Sequence, residues 1–253
     1  MKKILLFVFM LTSLATYSQK TDLSTVNTVK PKKGHKMAFE AAYKLHIAKF
    51  HKADQKQNVY EILSGPLTGY YHLSAKGRSF ADLDKVRPDA NAHSLDLDRT
   101  FFPLLDETIN GTYRYVDSLS IRPEVVADKY IVNVRHLHQN INMADYTREM
   151  VRSAKIYRSM KDGFMGNLST AFSFKLWTGS DPVTITIRNL KDGFKSLEDG
   201  YYGIAVEGSP TLKSEYITAY GMEAWDARLK IIEGAVAKSE QYIMKLRKDL
   251  SSK

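Results

Sequence analysis

The sequence predicts an α+β fold built from two similar halves and followed by a long C-terminal helix. Three observations support this prediction. Short β-branched segments alternate with amphipathic helical segments, the same order of segments occurs twice, and the C-terminal part has helical apolar spacing. The 253 residues, 43% hydrophobic and 26% charged, are enough for a sizeable core and exclude disordered and collagen-like classes.

The N-terminus has the pattern of a secretory signal peptide. Lys2 and Lys3 precede an apolar run from Ile4 to Ala15, which is shorter than the ~20 residues that span a bilayer. We expect residues 1–18 to be removed and the protein to be periplasmic or secreted, without a transmembrane segment in the mature chain. The absence of cysteine excludes disulfides and thiolate ligands.

The first half should contain five segments of regular structure before a second helical piece. A β-branched strand is predicted first, then an amphipathic helix, two strands around the turn Ser64-Gly65-Pro66, and a short helix capped by Ser79. The ranges are 23–29, 35–54, 59–63 with 70–73, and 79–85. Residues 93–109 are predicted helical and residues 111–120 a connecting strand.

The same order recurs in the second half. The predicted segments are strand 129–137, helix 143–160, strands 171–177 and 183–187 around a turn at 179–182, and short helix 192–198. An alignment without gaps matches residues 59–84 with residues 173–198. We therefore expect a first repeat at 19–110, a connector at 111–127 and a second repeat at 128–212.

A long amphipathic helix is predicted over residues 213–253. Its apolar residues follow a 4-3 spacing in a segment rich in Lys, Glu and Ala. They are Trp225, Leu229, Ile232, Val236, Ile243, Leu246 and Leu250. This stripe would pack on its own domain or form a dimer contact, so the protein would be a monomer or a homodimer through this helix.

Residues 30–84 resemble the dimeric α/β-barrel superfamily of ferredoxin-like topology, which includes antibiotic-biosynthesis monooxygenase and NIPSNAP-like proteins. The resemblance lies in KPKKGHKMAFEAAYKLHIAKF, NVYEILSGPLTGYYHL and GRSFADLD, with Phe39 at the position of a helix aromatic that faces the sheet. It implies two tandem ferredoxin-like repeats that form an intramolecular pseudo-dimeric barrel. It carries over no catalytic residue, because the superfamily has no shared signature.

Two pairs of histidines are candidate ligands. His46 and His51 lie on the first predicted helix, where an imidazole at the barrel mouth would act as a base or bind a cofactor such as haem. His136 and His138 lie two residues apart at a strand end and would hold a metal if a third ligand joined them. The alternative for each pair is solvated histidines without a special role.

The densest polar stretch is acidic and contains one histidine. Its residues are Asp82, Asp84, Arg87, Asp89, His93, Asp96 and Asp98. Such oxygen ligands suit calcium or magnesium, but the spacing does not match an EF-hand, and a solvated loop is the alternative.

The expected function is a non-catalytic or small-ligand-binding role in an exported protein. The alternative is an oxygenase-like or haem-handling enzyme of the dimeric α/β-barrel type. No serine-hydrolase, nucleotide-binding or zincin motif is present, and no nucleic-acid-binding pattern accompanies the net charge of +9. The sequence names no cofactor, no catalytic residue and no specific ligand.

Overall fold

The computed structural model describes residues 22–124, 127–160, 168–177, 182–197 and 210–253. The predicted signal peptide and most of the predicted turn at 179–182 lie outside these residues. The strands are β1 (Leu23–Pro31), β2 (Asn58–Ser64), β3 (Tyr71–Arg78), β4 (Leu105–Tyr115), β5 (Lys129–Leu137), β6 (Thr170–Leu176), β7 (Val183–Leu190) and β8 (Val236–Leu246). The helices are α1 (Lys36–Phe50), α2 (Phe80–Leu83), α3 (Ala90–Asp96), α4 (Met143–Ser159), α5 (Leu212–Tyr220) and α6 (Met222–Ala235).

The eight strands form one closed antiparallel barrel. Their order around the barrel is β1-β3-β2-β8-β5-β7-β6-β4, and β4 pairs with β1 to close it. Side chains alternate between the interior and the outer faces of the strands, so each strand contributes to two different environments. The α+β fold and the barrel expected from the sequence are present.

Corresponding strands of the two halves have equal lengths. β1 and β5 each have 9 residues, β2 and β6 have 7, β3 and β7 have 8, and β4 and β8 have 11. The order β4-β1-β3-β2 in the first half matches β8-β5-β7-β6 in the second. Residue 58 corresponds to 170 and residue 71 to 183, an offset of 112 rather than the 114 of the alignment without gaps.

The α1 helix packs against the outer face of the first four strands. Its Phe39, Tyr43 and Ile47 join Tyr71 and Leu73 of β3 in one buried cluster. A second cluster fills part of the barrel interior, and a third lies between α4, α5 and α6. No helix within the described residues combines the length and the apolarity needed to cross a bilayer.

The predicted C-terminal helix is wrong for its second half. Residues 236–246 form β8, which pairs with β2 on one side and β5 on the other. Without β8 these two strands would be open edges, and the hydrogen bonds that close the barrel outweigh the local helix propensity. Trp225 and Leu229 pack against their own domain, which is the first of the two arrangements expected for this apolar stripe.

The prediction of a helix over 93–109 is correct only in its first part. The chain leaves α3, continues as one π-helical and one 3-10 turn through Leu104, and becomes extended at Leu105. Pro103 has no backbone N–H for a continuing helix, and β-branched residues follow. The strand that we expected to be a connector is β4, which pairs with both β1 and β6.

Candidate metal centre

The buried stripe of α1 contains one histidine. Phe39, Tyr43, His46, Ile47 and Phe50 are its buried residues, at the spacing of one helix face. The apolar members pack on the sheet and fix the rotation of the helix. His46 is therefore held inside the protein, with only 1% of its side chain exposed.

His51 follows directly where α1 ends. Its backbone N–H donates to the carbonyl of Ile47, the last turn of the helix, and its side chain is buried. Nδ1 of His51 lies 3.0 Å from the carbonyl oxygen of Gln55 in the next turn. Because a carbonyl only accepts, Nδ1 carries the proton and the Nε2 atom presents a lone pair.

The α3 helix brings a third imidazole to the same place. His93 lies on α3, and Arg87 before it donates to the carbonyl of Phe50 at 3.0 Å, which ties the segment to the end of α1. Asp96, one turn after His93, accepts a hydrogen bond from Nδ1 of His46 at 2.8 Å. This contact fixes the tautomer of His46 and also directs its Nε2 lone pair away from the carboxylate.

The three Nε2 atoms converge on one point. They are 3.2 Å apart between His46 and His93 and 3.3 Å apart in each pair that includes His51. The centre of this triangle lies about 1.9 Å from each nitrogen, and nitrogens bound to a tetrahedral zinc ion at ~2.0–2.1 Å are about 3.3 Å apart. Among the described residues, this is the group of three side chains that could hold a metal ion.

Burial keeps these imidazoles neutral near pH 7. It lowers the pKa of His46, and it lowers the pKa of His51 and of His93 to about 4. The hydrogen bond from His46 holds the pKa of Asp96 below its ordinary value, so this carboxylate stays charged beside the site. Neutral imidazole is the form that binds metals.

A pocket of about 220 Å³ opens beside the three nitrogens. It lies between α1, α3 and the outer face of the sheet. Its wall combines apolar side chains such as Leu73 and Phe101 with the amides of Asn27, Gln57 and Asn110. A metal ion bound by the three histidines would therefore have an open position facing a small cavity that contains hydrogen-bonding groups.

The structure brings together one of the two histidine pairs. His46 and His51 lie side by side, but between helix and sheet rather than at the barrel mouth that we expected. His136 is half-buried on β5, opposite Val183 and Lys238, and His138 is exposed just beyond the strand. Within the described residues, neither belongs to a three-ligand group.

Sequence reasoning missed His93 as a partner of His46. The acidic stretch drew attention to this segment, but its aspartates have separate partners. Asp82 accepts a hydrogen bond from the backbone N–H of the α2 cap residue Ser79, Asp89 pairs with Arg87, and Asp96 contacts His46 and Lys49. The available signal was a histidine on the apolar stripe of α1. Its partner lies 47 residues away, and only the packing of α3 identifies it.

Solved structures share this fold at low sequence identity. An anthrone oxidase-like protein aligns with a TM-score of 0.51 and 12% identity over 90% of this chain and 92% of that chain. A candidate chlorite dismutase aligns with a TM-score of 0.50 and 8% identity over 90% and 96%. A candidate monooxygenase from Lactobacillus acidophilus aligns at 0.47 and 7% over 91% and 95%. No protein-family model and no curated protein matches the sequence. The similarity to the anthrone oxidase-like protein and the candidate chlorite dismutase concerns the fold alone, and the closed eight-stranded antiparallel barrel is consistent with a dimeric α/β-barrel.

Proposed function

We propose that this chain is a metal-dependent enzyme in which His46, His51 and His93 bind one divalent transition-metal ion. The observation that carries this proposal is the convergence of three Nε2 atoms at 3.2–3.3 Å. Three histidines with an open fourth position form the ligand set of a catalytic zinc site. Imidazole also suits iron, copper and nickel.

The protonation of the cluster favours a cation at its centre. Nδ1–H of His46 donates to Asp96 and Nδ1–H of His51 donates to Gln55, so two neutral rings direct lone pairs at each other. A proton on Nε2 of His93 satisfies one of these lone pairs well, whereas a metal ion satisfies all three nitrogens. The carboxylate and carbonyl that orient the rings are the partners that metal-binding histidines ordinarily have.

The ligand set determines the kind of chemistry that the centre supports. Three neutral ligands leave the charge of the ion uncompensated, so a bound water becomes acidic and a carbonyl or similar group is polarised. The pocket of about 220 Å³ admits a small substrate or part of a larger one. Oxygenase-like chemistry is the second candidate, favoured by the similarity to an oxidase-like protein. At this three-histidine centre, iron or copper would support it.

Metal titration of the chelator-treated protein tests the site. We expect one cobalt ion per chain, with the visible absorption of a four-coordinate ion, and displacement by zinc. His51→Ala and His93→Ala should each weaken binding at least about 100-fold. His35→Ala is the matched control because His35 is exposed on the loop before α1. Stoichiometric binding that survives both ligand substitutions would refute the proposal.

The same titration tests the other histidine pair. A second binding event that disappears in His136→Ala or His138→Ala would support the metal site expected at that strand end. The metal that copurifies from cells separates the two reaction classes: iron or copper favours oxygenase-like chemistry, and zinc favours hydrolysis or hydration.

We also propose that the chain is exported and that its halves are tandem repeats paired as a pseudo-dimer. The pattern of residues 1–18 supports export, and the equal strand lengths and strand order support the repeat. The intact mass of the protein recovered from the periplasm or medium tests cleavage after Ser18.

A further inference from the structure

The barrel interior contains a second cavity, separate from the metal centre. It has a volume of about 640 Å³ and is lined by residues from all eight strands. The two cavities lie on opposite faces of the same strands: Asn27 and Leu73 face the metal pocket, whereas Val26 and Ser74 face the barrel interior. An eight-stranded barrel is either filled by side chains or holds one small ligand, and this volume suits a ligand.

The wall of the interior cavity is aromatic and mostly apolar. Val132, Ile185 and Ile187 contribute aliphatic surface. The aromatic part of the wall consists of Tyr60, Tyr113, Tyr115, Tyr130 and Tyr242. Such a wall favours a ligand with an aromatic or apolar body, because tyrosine rings offer both ring faces and hydroxyl groups.

The inner part of the cavity is polar but uncharged. Nδ1 of His72 lies 2.8 Å from Oγ1 of Thr28, within hydrogen-bond distance. Nε2 of the same ring is 3.5 Å from the hydroxyl of Tyr242. Burial lowers the pKa of His72 to about 4, which keeps the ring neutral near pH 7. This part of the cavity can hydrogen-bond a neutral polar group.

Lys76 supplies a positive charge nearer the ends of the strands. It lies on the same face of β3 as His72, and its Nζ is 5.9 Å from the centre of the Tyr60 ring. The surrounding barrel wall lowers its pKa. In the part of the chain that the structure describes, no carboxylate forms an ion pair with Lys76; the nearby Asp22 binds Arg114 at 3.0 Å. The Lys76 side chain is exposed where the cavity opens, so an anionic group that enters the cavity can pair with its ammonium group.

We infer that the barrel interior binds a small organic acid, with its aromatic or apolar body among the tyrosines and its anionic group at Lys76. The volume of the cavity limits the ligand to a small molecule. The tyrosines and aliphatic side chains favour an aromatic or apolar body, and Lys76 favours a negatively charged group. This inference does not depend on the metal centre, because the two cavities share no lining residue.

Two fluorescent probes with the same rings test the inference. Anilinonaphthalene sulfonate is an anion, and phenylnaphthylamine is its uncharged parent. We expect one molecule of either probe per chain. Lys76→Met keeps most of the side-chain volume and removes the charge; it should weaken sulfonate binding about tenfold or more and leave the binding of the uncharged probe within twofold. Lys213→Met, on the exposed face of α5, is the matched control.

A second variant tests the location of the bound probe. Ala171→Leu on β6 fills part of the cavity and should weaken both probes, while an unchanged circular dichroism spectrum and cooperative thermal unfolding show that the barrel is intact. Unchanged sulfonate affinity in Lys76→Met, unchanged binding in a folded Ala171→Leu protein, or no binding of either probe would overturn the inference. His93→Ala should leave both affinities unchanged, so failure of the metal proposal is distinguishable.

Discussion

Asp96 accepts a hydrogen bond from Nδ1 of His46 at 2.8 Å, and this contact joins α1 and α3 through two residues fifty positions apart in the sequence. The carboxylate also lies 3.4 Å from Nζ of Lys49. It holds the imidazole in the tautomer that directs Nε2 to the other two histidines. Asp96 thus orients the His46 ring but is not one of the three side chains whose Nε2 atoms converge.

Removing this charge should weaken the metal site. Asp96→Asn is expected to lower metal affinity about 10-fold to 100-fold, because partners of this kind fix the orientation and basicity of the ligand. Asp98→Asn is the matched control, since Asp98 is exposed two residues later. Cobalt titration of both variants measures the difference. Equal affinities would show that Asp96 does not support the centre.

Gly65 permits a close contact at the junction between β2 and β8. Its φ is +87°, and a Cβ atom built there would lie 2.3 Å from the carbonyl oxygen of Gln241. Gly65→Ala should lower the free energy of unfolding by about 2 kcal/mol or more, from backbone strain together with the clash. Gly69→Ala, with φ +85° and open space around it, should lose only about 1 kcal/mol. Urea unfolding of the two variants isolates the clash, and equal losses would contradict this prediction.

His72 should make the barrel less stable in acid. Its pKa is about 4 in the folded protein and about 6.5 when unfolded, so the unfolded chain binds the additional proton first. Above about pH 6.5 the His72 ring is neutral in both states and costs no stability. As the pH falls from about 6.5 toward about 4, proton uptake by the unfolded chain lowers the free energy of unfolding. Relative to pH 7.5, the free energy of unfolding should fall at about pH 5 by at most about 2 kcal/mol from this residue.

The comparison with His72→Gln isolates this contribution from those of His46, His51 and His93. Urea unfolding with a chelator present, at both pH values, should show a smaller loss for the variant. An identical pH dependence of the two proteins would mean that His72 does not titrate as described.

Arg247 ties the C-terminal segment to α1 and β2. It donates to Glu40 at 2.7 Å and to Glu61 at 3.0 Å, and only 16% of its side chain is exposed. Its hydrogen bonds lower the pKa of Glu40. Arg247→Met should lower the free energy of unfolding by about 3 kcal/mol near pH 7, because two carboxylates lose their partner.

The neighbouring residue provides the control for this substitution. Lys248→Met removes an exposed pair with Asp128 and should leave stability nearly unchanged, because solvent screens exposed ion pairs. The loss in Arg247→Met should shrink as the pH falls and Glu40 becomes protonated. Thermal or urea unfolding of both variants measures these effects, and a loss as small as that of Lys248→Met would show that the network adds little.

Local patterns were sufficient to predict most elements of the first half of the chain. The apolar spacing of α1, the turn at Gly65 and the cap at Ser79 each depend on neighbours within a few residues, and the structure contains all three. Of the three converging histidines, the sequence singled out His46 and His51. It did not connect them to His93, because a helical histidine has no local feature that marks it as a ligand.

The C-terminal segment shows where local patterns fail. Trp225 and Leu229 lie on a helix as their spacing predicts, but Tyr242 and Met244 lie on β8 with their side chains in the barrel. The alternating strand and helix segments could be predicted from the sequence, because backbone propensity and apolar periodicity are local. The strand at 236–246 and the meeting of the three imidazoles depend on tertiary packing. Strand pairing and helix packing join residues far apart in the chain, and their energies exceed the local preference of any one segment.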